Sequence, residues 1–391
     1  VWRDHVISKL DEESDLLQID RLVLHELSGS QALRALEEAG RKPVSRNQVF
    51  TVIEHLISTQ PGRGPCDSVS SSGPVMIQTT RDASKKYGVH FIDYDDPRQG
   101  IAHVVAPELG IAFPGATLVC CDSHTSTIGG VGALAWGIGA SEAEHVLATQ
   151  TLAQAKPKTM RVNFEGKLKP GVYAKDMILA LIGTIGAQGG IGYATEYAGS
   201  AVNDLSIDGR LTLCNMSIEF SCKYGFVAPD EKTFEYLKNA EFSPKGEAWE
   251  RATEYWRTLR TDADAVFDKE ITIDCNALEP QVTWGISPQQ VGGIGTVVPS
   301  PAQAVDKEAL ALGERALQYM KLRADAPIKG TPIDVAYIGS CTNARITDLR
   351  AAAAGSSAGG PQAAPGRGVS RSTDLGRVVH GRRHRARAAG P

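Results

Sequence analysis

Ala116-Thr-Leu-Val-Cys-Cys-Asp122-Ser123-His124-Thr125 runs from an apolar, β-branched stretch straight into an acid, a hydroxyl and an imidazole. The apolar half reads as a buried strand of an α/β sheet, and the polar half as the loop at its end, which is where open α/β sheets bind ligands. Working outward, Val49-Phe-Thr-Val-Ile reads the same way and is followed at once by Glu54-His55. Gln31 to Ala39 reads as a helix with Ser30 as its cap and Gly40 as its stop. Ser141-Glu-Ala-Glu144 has a capping-box pattern and opens the helix His145-Val-Leu-Ala-Thr-Gln150.

This alternation predicts an α/β chain of several units. The first spans residues 1–155. The second spans 156–285, with a strand at Met160–Phe164 and a helix over Asp176–Gly183. Its stretch Gly186-Ala-Gln-Gly-Gly-Ile-Gly192 lacks the G-x-G-x-x-G register and a Walker Lys, so turns and close packing account for it better than a nucleotide does. Pro288 to Pro301 reads as a Gly/Pro-rich linker. A third unit, 286–354, carries the helix Lys307–Gly313 and the strand Ile333–Gly339. Residues 355–391 contain no aromatic, Ile, Met, Lys or Glu, and among larger aliphatics only Val369, Leu375, Val378 and Val379, so that stretch is predicted to be a disordered tail.

A chain of 391 residues exceeds one hydrophobic core. Apolar residues make up 42%, ordinary for a globular chain, and no apolar run approaches the roughly 18 residues of a membrane helix. Val1-Trp-Arg-Asp-His5 has no signal core, which makes the cytoplasm the default, and the absence of Met predicts a missing or processed start. Seven Cys without disulfide-like spacing suit a reducing compartment. The net charge of −4 conceals a tail of +6 on a body of −10. Arg382 to Arg387 would hold phosphates only nonspecifically, and an acidic body argues against a nucleic-acid partner.

Gly339-Ser-Cys-Thr-Asn343 sets a thiol at the end of another apolar strand. Acid and imidazole recur as Glu54-His55 and as Asp20 with His25-Glu26, and His103 stands alone. Asn215 and Glu219, four apart, would face the same way on a helix. A carboxylate that holds an imidazole fixes its tautomer and raises its basicity, which suits proton transfer. One at a time, each pair reads better as an ordinary surface salt bridge. Spacing alone does not bring them together.

Taken together, Ile19-Asp-Arg with His25-Glu26, Glu54-His55-Leu-Ile-Ser-Thr-Gln60, Asp122-Ser-His-Thr, Gly137 to Gln150, Leu213-Cys-Asn-Met and Ile338-Gly-Ser-Cys-Thr-Asn343 resemble the aconitase superfamily, in that family's order and as far as about Ala354. Val227-Ala-Pro-Asp-Glu-Lys-Thr-Phe, Ala252-Thr-Glu-Tyr-Trp and Pro280-Gln-Val-Thr-Trp-Gly resemble its isopropylmalate dehydratase branch. The resemblance implies an aconitase-like fold of several α/β/α subdomains around a central pocket, the third incomplete here. It implies a hydro-lyase that interconverts 2- and 3-isopropylmalate through isopropylmaleate in leucine biosynthesis. Homoaconitase- or aconitase-type hydration of another hydroxy acid is the alternative.

By resemblance, Cys341 matches the first of three Cys that hold a 4Fe-4S cluster. Glu54 and His55 match the pair that helps protonate the departing hydroxyl, with Glu where the family usually has Asp. His103 with Asp122 and His124 with Glu219 match the supporting pairs. Ser123 and Asn215 match pocket-lining positions, and His25 a substrate-side position. A separate small subunit, or a fused equivalent, carries the swivelling domain and a catalytic Ser base in relatives. The family's other two cluster Cys lie in a Pro-Gly-Cys-x-x-Cys motif further on, whereas this sequence has no Cys after Cys341 and no C-x-x-C. A single thiolate does not hold a cubane cluster. The Arg/Gly/Ala/Pro mixture after Ala351–Ala354 reads as GC-rich codons out of frame, so the chain as written is expected to be an inactive form of the enzyme, or a remnant whose basic tail binds nucleic acid nonspecifically.

Overall fold

The computed structural model describes residues 1–333 and 338–357, the last three as backbone only. Strands β1 (Val6–Lys9) and β2 (Ser14–Gln18) form an antiparallel pair. Next come β3 (Arg21–His25), β4 (Val49–Val52), β5 (His90–Ile92), β6 (Thr117–Cys120) and β7 (Leu134–Gly137), a wholly parallel sheet in the order β5-β4-β3-β6-β7. Strand β8 (Thr151–Ala155) returns to pair with β2. A second parallel sheet contains β9 (Lys158–Glu165), β10 (Tyr193–Ala198), β11 (Tyr224–Phe226) and β12 (Lys269–Asp274), in the order β11-β10-β9-β12. The hairpin β13 (Gln281–Thr283) and β14 (Val291–Gly293) follows.

Alternation along the first sheet explains its two covered faces. Leu22, Leu24, Val49 and Val119 pack with Leu33 and Leu36 of the helix Glu26–Glu38 and with Val146 and Leu147 of the helix Ala140–Thr149. Val23, Phe50, Val52 and Leu118 point the other way, onto Val105 and Leu109 and the segment with Ile128 and Val131. Period-2 patterning with apolar residues on both faces is what a parallel sheet between helices requires. In the second sheet, Met160, Val162 and Phe164 pack on Met177, Ile178 and Leu181 of the helix Ala174–Ile185. Each fully buried Leu or Ile adds about 1.5–3 kcal/mol over leaving it exposed.

Two glycines let the sheets approach. A Cβ on Gly129 would collide with the Gly225 carbonyl, and one on Gly130 with the Leu211 backbone, so the 3-10 segment Ser123–Val131 is wedged between β11 and the helix Ile207–Asn215. No helix among the described residues is long and apolar enough to cross a membrane.

Several local expectations need correction. The helix expected from Gln31 begins at Glu26, because His25 accepts the Leu27 N–H and acts as the cap, and Ser30 is buried inside it. The helix expected after Ser141 begins at Ala140, with the Glu142 carboxylate accepting the Gly139 N–H at 2.9 Å. The expected linker 288–301 contains β14, and Val298 packs with Trp284, Ala316 and Ile328. The boundary at 285 falls in the turn between β13 and β14. Most of the strand expected at Ile333–Gly339 lies outside the described residues, as do 358–391 of the expected tail, while the helix Ile346–Ser357 runs through residues 355–357.

Candidate active site

Strand order places the site. Neighbours β4 and β5 lie to one side of β3, β6 and β7 to the other, so the connections reverse between β3 and β6 and open a crevice beyond their carboxyl ends. His25 ends β3, Glu54 and His55 follow β4, and Asp122 follows β6. Asp122 also caps the 3-10 segment, accepting the His124 N–H at 2.7 Å. His103 lies in the first turn of the helix Ala102–Glu108.

Asp122 is held between two imidazoles. Its Oδ1 lies 2.6 Å from His103 Nε2, and its Oδ2 lies 3.2 Å from His55 Nε2. The other edge of the His55 ring, Nδ1, is 3.6 Å from Glu54 Oε1. Beside this cluster His124 Nε2 lies 3.3 Å from Glu219 Oε1, and the exposed Ser123 Oγ lies 3.2 Å from His124 Nδ1. His103 and Glu54 are buried, while His55, Asp122, His124 and Glu219 keep part of their surface in the crevice.

Burial works against a charged ring at His55, but hydrogen bonding to Asp122 and Glu54 and their charges lift its pKa to about 11. Burial alone would raise the Asp122 carboxyl; the hydrogen bonds from His103 and His55 outweigh it and hold Asp122 well below the usual carboxylate range. The hydrogen bond to Glu219 raises His124 against its burial, and the same bond lowers Glu219. His55 is therefore an imidazolium and Asp122 a carboxylate at neutral pH.

A buried second layer holds these groups. Glu26, fully buried, accepts the backbone N–H groups of Glu54 at 2.8 Å, of Leu56, and of Ile57 at 3.3 Å. Glu54 in turn accepts the Ala102 N–H at 3.0 Å, which ties the His55 loop to the helix that carries His103. Sequence reading paired Glu26 with His25 and missed this role; the one signal was an acid directly after a buried strand.

Other placements differ from expectation. Asp20 meets His5 at 2.8 Å and not His25, because it directly precedes β3, at the end opposite the crevice. Asn215 and Glu219 do not share a helix: Asn215 closes the helix Ile207–Asn215 and is fully buried, whereas Glu219 lies in the 3-10 turn Met216–Phe220. Asn215 Nδ2 donates to Thr127 Oγ1 at 2.8 Å, and its Oδ1 accepts from Thr342 Oγ1 at 2.7 Å. That contact brings the Cys341 loop to the crevice, where burial and then the Asp122 charge push the Cys341 thiol up. His25 is 1% exposed and both its ring nitrogens are engaged, Nδ1 with the Leu27 N–H at 3.2 Å and Nε2 with the Cys121 carbonyl at 2.9 Å. No atom of it is left for a substrate.

The model of the aconitase family (aconitate hydratase) matches residues 1–370. The chain belongs to the aconitase family. The family match extends past Ala354, beyond the expected end of the resemblance. Among its relatives is the 3-isopropylmalate dehydratase large subunit 1 of Bradyrhizobium diazoefficiens, 49% identical over 366 residues, which cover 94% of this chain and 76% of that one. Among solved structures, the holo-form of Thermococcus kodakaraensis aconitase X aligns with a TM-score of 0.35 at 13% identity, over 67% of this chain and 58% of that one. A likeness of that size assigns no role to any residue.

Members of the aconitase family generally work with a 4Fe-4S cluster. The donor set of the described residues does not fit one. Cys341 is the thiol beside Asp122 and Asn215; Cys120 and Cys121 are buried in the cores on opposite faces of the first sheet, Cys214, Cys222 and Cys275 in the second core, and the half-buried Cys66 is held by Arg81 Nη1 at 3.3 Å and packs on Ile53, Ile57 and Ile77. Among the described residues, the one group of three or more possible metal donors is His25, His55 and Asp122. It too is ill suited, since His25 has both nitrogens spoken for and His55 holds its proton.

Proposed function

We propose that this chain carries the proton-donating site of the large subunit of a 3-isopropylmalate dehydratase, the enzyme of leucine biosynthesis that interconverts 2- and 3-isopropylmalate through isopropylmaleate, and that turnover requires thiolates beyond Cys341. The observation that carries the reading is Asp122 held between His103 and His55, at the crevice where β3 and β6 diverge. The 49% identity to a dehydratase large subunit supports the choice within the family.

Dehydration removes a proton from one carbon and hydroxide from its neighbour; the electron pair of the C–H bond becomes the new C=C bond and that of the C–O bond leaves on oxygen. His55 Nε2 supplies a proton to that oxygen. A pKa of about 11 is no obstacle, since water at about 15.7 is the far weaker acid. Asp122 and Glu54 hold the ring, and Asp122 stabilises the proton until it transfers. His124 with Glu219, on the open side, and Ser123 beside them orient the hydroxy acid. The carbon base comes from a small-subunit partner, and the cytoplasm is the site of action. The first unit supplies His55, His103, Asp122 and His124, the second Asn215 and Glu219, and the third Cys341. No step is assigned to a cluster, because Cys341 by itself does not hold one; two further thiolates would have to come from outside this sequence.

The test uses the full chain with iron and sulfide, mixed with the small subunit of the Bradyrhizobium enzyme, and follows the ultraviolet absorbance of isopropylmaleate. The chain as it stands is expected to give no turnover. A chimera joining residues 1–350 to the C-terminal part of that relative is expected to turn over isopropylmalate and to lose activity with His55→Asn. A chimera that holds iron but accepts only citrate-type acids overturns the substrate; turnover by the chain alone overturns the need for further thiolates.

A further inference from the structure

We propose that His25 is a positioning residue and not a substrate ligand, its imidazole forming the flat platform against which the His55 ring is held. The two rings stack with centroids 3.9 Å apart and planes 19° from parallel. The proposal rests on the reading of His55 as the proton donor to the leaving hydroxyl.

Hydrogen bonding fixes the platform. The Leu27 N–H donates to His25 Nδ1, so that nitrogen bears no proton, and Nε2–H donates to the Cys121 carbonyl. A proton added at Nδ1 would break the helix cap, so the ring stays neutral. It ends β3, one of the most buried strands, and leans on backbone from β6's continuation on one side and on a helix start on the other. It cannot tilt without losing one of these contacts.

His55 needs such a support because its polar contacts are long, 3.2 Å from Nε2 to Asp122 and 3.6 Å from Nδ1 to Glu54. Contacts of that length leave the ring room to rock about its Cβ–Cγ bond. A neutral aromatic face at stacking distance removes that freedom, and its π cloud attracts a protonated ring. A donor that swings by an ångström forfeits on the order of 10²-fold in rate, so a platform has a catalytic consequence although it touches no substrate.

Two variants separate stacking from capping. His25→Asn can still cap the helix but has no ring; His25→Phe keeps a ring but neither hydrogen bond. In the full chain with histidine-selective 15N labelling, nine histidines give a tractable spectrum. His25→Asn is expected to broaden or shift the His55 ring signals, and His25→Phe to leave them close to wild type. In the active chimera described above, His25→Asn is expected to lower kcat on the order of 10²-fold with little change in KM. Unchanged His55 signals in His25→Asn overturn the proposal, and so does a rise in KM with kcat unaltered, the mark of a substrate ligand. Should His25→Phe fail to fold, the Asn variant alone decides. The spectrum needs no turnover, so an inactive chimera counts against the reaction assigned above and leaves the platform to be judged by the His55 signals.

Discussion

The carboxylate of Glu26 accepts the backbone N–H of Glu54 at 2.8 Å from a fully buried position, and the same group also accepts from Leu56 and Ile57. Burial pushes the Glu26 carboxyl up, and the hydrogen bonds from the Glu54 and Leu56 N–H groups work against that shift. Glu26→Ala leaves those N–H groups without acceptors in a dry site, at about 1–3 kcal/mol each before any relaxation. The expected result is a loss of about 3 kcal/mol or more in urea unfolding, three groups each at the lower end of that range. A variant as stable as wild type would mean that water or a shifted loop replaces the carboxylate.

Asp122→Asn removes the one charge that His55 and His103 share. With Glu54 left as its sole acidic neighbour, His55 should release its proton at a lower pH than wild type, read from its 15N ring shifts. In an active chimera the rate should fall by about 10²- to 10⁴-fold, the usual range for losing a positioned acid–base group. A His55 titration that does not move would show that Glu54 alone holds the proton.

The crevice was legible in part. An apolar run ending in Asp122-Ser-His124 announces a parallel strand and its ligand loop, because two-faced burial demands apolar residues and the loop alone reaches solvent. Which acid meets which imidazole was not legible from spacing. Asp122 reaches His103 and His55 only because β6 lies beside β3 and β4 lies beyond it, and strand order is not written in any one segment. Family resemblance supplied the pairs His103–Asp122 and His124–Glu219 that spacing could not. It misplaced His25, since the identity of a residue does not reveal that both its nitrogens are already engaged. The helix start at Glu26 was missed for the same reason: a histidine cap lies outside the usual Ser/Thr/Asp/Asn set.

Stability should depend on pH through His55. Its pKa rises from 6.5 to about 11 on folding, so its charge stabilises the fold in full below pH 6.5, and the contribution shrinks as pH rises and is gone above about 11. Asp122 has the opposite sign: its contribution is present above the ordinary carboxylate range and is lost only in acid. Comparing urea unfolding of wild type and His55→Gln, the difference should be larger at pH 6 than at pH 10. A difference that grows with pH would contradict a protonated ring at this site.

Asn215 is the joint through which the Cys341 loop docks. It is fully buried, donates to Thr127 of the segment that Asp122 caps, and accepts from Thr342, next to the thiol. A second contact, Asn343 Nδ2 to Thr212 Oγ1 at 3.2 Å, would remain after Asn215→Ala. The loop should therefore loosen without detaching. Thr127 and Thr342 each lose a buried partner, which costs about 1–3 kcal/mol apiece. Burial is the main reason the Cys341 thiol resists ionisation, so a looser loop exposes it and lowers its pKa by more than the loss of the Asn215 hydrogen bond, which favours the thiolate, raises it. Alkylation by iodoacetamide, read peptide by peptide in mass spectra, should then speed up several-fold at Cys341 and stay constant at the half-buried Cys66, which is held by Arg81 and packs on Ile53, Ile57 and Ile77, away from the Asn215 contacts. Equal acceleration at both thiols would indicate general unfolding, and an unchanged rate at Cys341 would mean that the contacts to Thr212 and Asp208 suffice to hold the loop in place.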